Sequence, residues 1–397
     1  MLNFKGGIKL ISHKYTKNSE SVSLPSPAYV KIFTYGDEVC VAVGDVVKIG
    51  DKLTDCHMAH ASVSGTVKEI GESYVLIEND GQNTVSERIR PFHKRLSDAD
   101  FDDIISFAKK KGICYNNIPL SDKLKNSKDK ATTLIISCGE TAPFLCASYR
   151  TLSENKKEIL YGAKIIMKAL GIRKTAITLE AYKKKDIAEF SQLIGESNNF
   201  EIVTHSRKYP ADHPEVIKRT FIKKFIRHAD KNCTESILVI TGNEAAALFE
   251  SFKTGMPMIN NVITIDGDAV LSPANVSVPI GAPVSDVLAF CNVQHDRVNI
   301  LIKGNPLSSE EILLDDHIQK DTDAVIALSS KFTSYHSGEC IACGKCHLVC
   351  PMGLYPHRLL ESDKHSNTCI RCGCCAYICP ARLDFSSIFM MEDDNDE

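Results

Sequence analysis

The chain of 397 residues has no tryptophan, and aromatic residues make up only 7% of it. Platforms that stack nucleic-acid bases need several aromatic faces, so this scarcity argues against one. A dominant charge is lacking too: 47 Lys and Arg face 50 Asp and Glu, for a net charge of −3. That excludes nucleic-acid binding driven by bulk positive charge. No apolar run approaches the roughly 18 residues that would suggest a membrane span. Residues 1–14 lack the apolar core of a secretory signal. The expectation is a reducing, cytoplasmic location. Apolar residues at 43% and charged residues at 24% are ordinary for globular domains. The length predicts two to four of them.

Cysteine is what the chain has in excess, with 16 residues. Nine fall between Cys340 and Cys379; Cys40, Cys56, Cys114, Cys138, Cys146, Cys233 and Cys291 are scattered before them. A secreted disulfide scaffold would be short and carry cysteines throughout. The cluster instead reads Cys340, Cys343, Cys346, Cys350-Pro351, then Cys369, Cys372, Cys375, Cys379-Pro380. Both runs have the C-x2-C-x2-C-x3-C-P spacing of bacterial ferredoxins, in which the fourth cysteine serves the other cluster. Three closely spaced thiolates each reach a different iron of one cubane. The spacing therefore assigns Cys340, Cys343, Cys346 and Cys379 to one [4Fe–4S] cluster, and Cys369, Cys372, Cys375 and Cys350 to a second. Zinc knuckles are set further apart. Gly344 and Gly373 would let backbone approach the inorganic sulfides. Cys374 is a bystander, and the scattered cysteines are expected to be buried thiols.

The rest of the chain predicts a multidomain mixture of α/β and α+β units. Residues 1–97 carry short strands punctuated by Gly50, Ser64-Gly65 and Asn79-Asp80-Gly81, a pattern like a biotinyl/lipoyl barrel-sandwich. The stretch from Cys56 to Ser64 has no lysine to modify, and a loop explains Cys56, His57 and His60 better than a metal site. Residues 98–232 alternate helix and strand, with apolar positions at helical spacing from Ile159 to Leu170 and a stop at Gly171. This predicts an α/β layer with a largely parallel sheet. It contains no G-x-G-x-x-G after a strand. The basic residues from Arg207 to Lys231 read as a solvated helix face, the alternative being a docking face for an acidic partner or a dinucleotide phosphate. Residues 233–300 suggest a β-grasp, and residues 301–397 the dicluster unit, ending in an acidic tail from Glu392 to Glu397.

At this point the chain resembles the RnfC family, whose members are subunits of the Rnf ion-translocating electron-transport complex. It is more distantly similar to the NADH-binding subunit of respiratory complex I. The resemblance rests on Phe4-Lys5-Gly6-Gly7-Ile8, Ser62 to Gly65, Ile77 to Gly81, Ile165 to Gly171, and most densely on Ile263 to Asp286. It implies a barrel-sandwich hybrid, an α/β flavoprotein-like layer, an SLBB-type β-grasp domain and a C-terminal ferredoxin-like dicluster domain. It also implies an electron-transfer subunit lying peripherally on the inner face of the cell membrane. Its partners would be membrane subunits, ferredoxin or another redox protein.

The family's flavin site is built on a glycine-rich loop, which corresponds here to the shorter stretch Gly112 through Pro119, where Tyr115, Asn116 and Asn117 would crowd the approach of backbone to a cofactor. Its N-A-A-E-C-E-P-Y segment appears as Ser137 to Phe144, keeping Glu140 and Pro143 but carrying Ala142. Its K-Y-P-x-G-x-E-K segment appears as Lys208 to Glu215, with Asp212 for the glycine. Arg150 matches; Ser148 does not. Gly112, Glu140 and Arg150 would then be vestiges of an FMN and NADH site that is lost or much altered. The expectation is a single-electron relay through two [4Fe–4S] clusters, with FMN, NADH and an NADH dehydrogenase activity of its own left open. The alternatives are a soluble relay feeding a partner reductase, and an NADH-oxidising flavoenzyme with a rebuilt pocket.

Overall fold

The strand pattern of the first 85 residues builds an antiparallel sheet of four strands: β1 (Tyr29–Phe33), β2 (Val46–Val47), β3 (Gly65–Ile70) and β4 (Tyr74–Asn79). Their spatial order is β1-β4-β3-β2. Val30, Ile32, Val67, Val75 and Ile77 point inward and close a small core with Leu53 and Val63. This computed structural model describes residues 1–56, 58–115, 117–226, 234–308, 310–330, 339–362 and 368–385. His57, Asn116, Arg227, Lys231, Cys233 and the acidic tail therefore lie outside the described residues.

The next layer alternates helix and strand. Its elements are α1 (Phe101–Lys110), β5 (Thr133–Ser137), α2 (Lys156–Leu170), β6 (Lys174–Glu180), α3 (Lys184–Ile194), β7 (Phe200–His205) and α4 (Pro214–Phe225). They are joined by β8 (Ile237–Thr241) and α5 (Gly242–Thr254). The four strands are parallel, in the order β7-β6-β5-β8. The layer thus runs past residue 232, where the sequence pattern suggested a boundary. β8 is an apolar run buried in the sheet, and its partner β5 lies a hundred residues earlier. Locally such a run reads the same whether it opens a new unit or completes an old one. α5 starts on a capping box between Thr241 and Glu244 and stops at Gly255. It packs so closely on α2 that a Cβ on Gly162 would lie 1.8 Å from the Ala245 carbonyl oxygen.

A third sheet has six strands. β9 (Asn260–Asp266), β10 (Ala274–Pro279), β11 (Ile300–Lys303) and β12 (Ala324–Leu328) form its body, edged by Val22–Ser23 and Glu310–Glu311. One helix, α6 (Val284–Phe290), covers it through Val284, Val287 and Leu288. This sheet overruns residue 300, because β12 is fully buried and sits between β9 and β11.

The two cysteine runs fold as a structural repeat. α7 (Lys345–Val349) and α8 (Cys374–Ile378) each follow a glycine in the left-handed region, at φ +69° for Gly344 and +71° for Gly373. Two residues earlier, Ala342 and Arg371 take φ +52° and +51°. Cys374 is no bystander in packing. It is fully buried, in a core shared by Ile8, Phe144, Tyr209, Ile326 and Leu328. That core seats the second cysteine run on the α/β layer and the third sheet. Among the described residues, no helix is long and apolar enough to cross a membrane.

Candidate functional site

The structure gathers the clustered cysteines around two cavities. One is lined by Cys340, Cys343, Cys346 and Cys379. The other is lined by Cys350, Cys369, Cys372 and Cys375, with Cys374 beside them. The walls are otherwise mostly apolar; Pro351, Leu354 and Leu359 border one cavity, and Leu383 and Phe385 the other. Such walls exclude water from a redox centre and raise the electrostatic weight of nearby dipoles. Among the described residues, no three His, Cys, Asp or Glu side chains converge on a single-ion site. Four thiols spread around a cavity suit a cubane, in which each binds its own iron. The donor set and its surroundings therefore fit [4Fe–4S] clusters. Cys340 and Cys343 are exposed, whereas Cys375 is buried and Cys372 half-buried. The loop carrying Cys372 is anchored: the Tyr209 hydroxyl donates to the Cys372 carbonyl at 2.8 Å, and Asn305 Nδ2 donates to that hydroxyl at 2.6 Å.

A third cavity, of about 340 Å³, opens at the carboxyl ends of β5 and β8. The chain runs from β5 outward through β6 and β7, then returns to place β8 on the other side. This is the switch point of an open parallel sheet, where the loops diverge and leave a crevice. Ser137 to Glu140 line it after β5, and Thr241 to Asn243 after β8. Tyr115, Asp212, Asp323 and the stretch Ile370-Arg371-Cys372 complete the wall. The same cysteine loop thus borders both this cavity and the one formed by Cys350, Cys369, Cys372 and Cys375.

The cavity wall is acidic. Glu140 accepts the backbone N–H groups of Ser148 at 3.0 Å and Tyr149 at 3.2 Å, at the start of the helix Ala147–Glu154. Lys14 Nζ lies 3.6 Å from it. Asp212 accepts the Thr141 N–H at 2.9 Å and also its hydroxyl. The Tyr115 hydroxyl lies 3.3 Å from Asp323 Oδ2. Desolvation, and secondarily the Glu140 charge, push the Asp323 carboxyl up to about 7. A carboxyl raised in the fold stabilises it fully below the unfolded-state value near 3.8. That contribution is lost as pH rises through 7. Asp323→Asn should therefore gain on the order of 3 kcal/mol over the parent at pH 8, and nothing at pH 4. Urea unfolding at the two pH values measures this; an equal difference at both would show that Asp323 is not the titrating group.

Of the residues that the resemblance singled out, Glu140 lines the cavity and the other two do not. Arg150 turns to Glu154 and the Lys17 carbonyl. Gly112 has φ +57° and offers its carbonyl to the buried Lys320 Nζ at 2.5 Å. Asp323 and Asn305 carry no sequence signal, since each stands alone in a loop or at a strand edge. His60 is buried, with Nε2 at 3.1 Å from the Lys110 carbonyl oxygen. Cys56 is exposed, and so is Cys40, contrary to the expectation that the scattered cysteines are buried. Cys138 and Cys146 are buried, and desolvation pushes their thiols up to about 12 and about 11. Such thiols are inert packing groups at neutral pH.

Comparison with known proteins agrees with this architecture. Residues 2–87 match the RnfC barrel sandwich hybrid domain, and residues 111–266 the Nuo51 FMN-binding domain. The C subunit of the Na(+)-translocating ferredoxin:NAD(+) oxidoreductase complex of Acetobacterium woodii is 26% identical, over 90% of this chain and 86% of that protein. Its counterpart in the proton-translocating ferredoxin:NAD(+) oxidoreductase complex of Clostridium ljungdahlii is 27% identical, over 90% of this chain and 83% of that protein. The C subunit of the ion-translocating oxidoreductase complex of Serratia proteamaculans is 27% identical over 81% of this chain; there the match spans 48% of the longer protein. An air-oxidised NAD+-reducing [NiFe]-hydrogenase shares the fold, with a TM-score of 0.51 at 12% identity over 68% of this chain and 53% of that one. In the order of its barrel-sandwich and Nuo51-type layers, and along nine-tenths of its length, the chain is similar to the C subunits of these ion-translocating oxidoreductase complexes.

Proposed function

We propose that this chain is the electron-transfer subunit of an Rnf-type, membrane-associated, ion-translocating oxidoreductase complex. In this reading it relays single electrons through two [4Fe–4S] clusters. The observation that carries it is the division of eight cysteines between two cavities, four to each. Cys340, Cys343, Cys346 and Cys379 would hold one cluster, and Cys350, Cys369, Cys372 and Cys375 the other. Each bound cluster would supply a one-electron centre, with no bond chemistry of its own. The chain's residues position and insulate these centres. Tyr209 and Asn305 hold the Cys372 loop, apolar walls shield the second cavity, and Arg371 and Cys372 bring it to the edge of the sheet crevice. The third sheet, with α6 packed on it, supports the SLBB-type assignment, and the repeated α7 and α8 loops support the ferredoxin-like one. The partners would be the complex's membrane subunits, with the chain docked peripherally.

A second reading, an NADH-oxidising subunit with bound flavin, is favoured by the crevice itself. Its lining does not suit a flavin phosphate. Glu140 and Asp212 face it, with an Asp323 that burial raises to about 7, against Arg371 and a His213 that burial lowers from its usual value. Of the N–H groups that open α5, that of Glu244 is taken up by the chain's own Thr241 hydroxyl, and the Glu244 carboxylate stands over the same turn, where it opposes an anion. Tyr115 stands where the family's glycines would let backbone approach a cofactor. Anaerobic purification with iron and flavin assayed on one sample separates the readings. About eight iron per chain without flavin is the expected result. A stoichiometric flavin reduced by NADH would replace the relay reading with the second.

A further inference from the structure

We infer that the basic edge of α4, with the N-terminal segment beside Cys350, is the docking surface for a small acidic one-electron carrier protein of the ferredoxin kind. The inference rests on the relay reading and adds where the partner binds. α4 buries Val216, Ile217, Thr220 and Phe221 against the sheet. Its other side carries Arg219, Lys223 and Lys224, all exposed. This side is tied to the second cysteine cavity. The Arg219 guanidinium donates to the Met352 carbonyl at 3.2 Å, and Met352 lines that cavity. The N-terminal segment reaches the same place. The Gly7 N–H donates to the Val349 carbonyl at 2.7 Å, and a Cβ on Gly6 would lie 2.4 Å from the Cys350 carbonyl oxygen. Lys5, next to Gly6, is exposed. Lys224 Nζ reaches the Met1 carbonyl at 3.3 Å, joining the two elements.

The charge at this place is one-sided. Glu215 is the only acid on α4, and it pairs with Lys218 at 2.8 Å. Among the described residues, Lys5, Arg219, Lys223 and Lys224 form no ion pair with a carboxylate. Leu348, 71% exposed, and Phe225, 43% exposed, supply apolar contact amid these cations. The whole chain is net negative at −3. With no dominant charge elsewhere to attract it, an acidic carrier is drawn to this patch, which steers encounter and fixes orientation. The exchange is balanced: the carrier gives up one electron, this chain takes up one, and no bond forms or breaks.

The test uses the full chain, purified without oxygen, and an acidic bacterial 2[4Fe–4S] ferredoxin as probe. Calorimetric titration at about 50 mM salt compares the parent with Lys5→Glu and with the Lys223→Glu/Lys224→Glu double variant. Binding should weaken about tenfold or more, and the difference should fade near 0.5 M salt, as screening shortens to about 4 Å. Electron uptake from the reduced ferredoxin should slow in parallel, while reduction by methyl viologen radical stays unchanged. Lys184→Glu/Lys185→Glu on α3 should bind as the parent does. Unchanged affinity in the α4 variants, an equal loss in the α3 control, no binding by the parent, or a loss confined to Lys345→Glu/Arg382→Glu would each overturn the surface. Failure of methyl viologen to reduce the parent would instead overturn the relay itself.

Discussion

Cys343→Ser is expected to stop electron throughput while leaving residues 1–330 folded. Cys343 lines the cavity it shares with Cys340, Cys346 and Cys379, and it is exposed. Its loss removes one thiolate from a four-thiolate set without opening a core. Iron should fall from about eight per chain to between about four and seven, depending on whether the damaged cluster is lost or keeps three irons. The second cluster should persist, because Cys350, Cys369, Cys372 and Cys375 are untouched and sit on the buried core around Cys374. Iron assay, low-temperature electron paramagnetic resonance and far-UV circular dichroism read the three parts separately. Normal throughput in this variant would exclude the relay role for the exposed cluster.

Gly373→Ala and Gly344→Ala should behave very differently, although they change equivalent positions of the repeat. Both glycines hold φ near +70°, so an alanine at either costs about 1–2 kcal/mol of backbone strain. At Gly344 no protein atom lies within 4 Å of an added Cβ, so against the protein that strain is the only effect. At Gly373 the added carbon would lie 1.8 Å from the Leu307 carbonyl oxygen. Backbone cannot rotate aside as a side chain can, so overpacking adds about 1–3 kcal/mol more. The damage falls where the Cys372 loop is held by Tyr209 and Asn305. Gly373→Ala should therefore lose iron selectively from the cluster of Cys350, Cys369, Cys372 and Cys375. Gly344→Ala should keep both clusters with a slightly lower melting temperature. Equal iron loss in the two variants would mean that the Leu307 contact does not set the difference.

Much of the layer structure was legible because local signals agreed. The helix from Lys156 to Leu170 has apolar residues at helical spacing, and a left-handed Gly171 ends it. The helix Val284–Phe290 and the strand Thr133–Ser137 were equally plain. The limits of the layers were not, because sheet membership is a long-range property. Ile237–Thr241 joins a strand a hundred residues away, and Ala324–Leu328 pairs with Asn260–Asp266. The crevice was half visible. Glu140 and the segment Tyr209 to Asp212 stood out through resemblance, whereas Asp323 and Asn305 come from loops that only the assembled sheets bring there.

The sequence by itself carries the spacing on which the proposed two-cluster chemistry of the C-terminal region rests. Thiolate spacing along a tight loop decides which iron each cysteine can reach, and that spacing is written in the chain. Only the tertiary structure decided how the two equal halves of the repeat differ. One cysteine set has two members, Cys340 and Cys343, at the surface, and the other is pressed against Leu307, Tyr209 and the sheet crevice. Burial of Asp323, the clash that awaits a side chain at Gly373 but not at Gly344, and the approach of α4 to Met352 all arise from contacts between segments far apart in sequence. Spacing acts along the chain; packing acts across it.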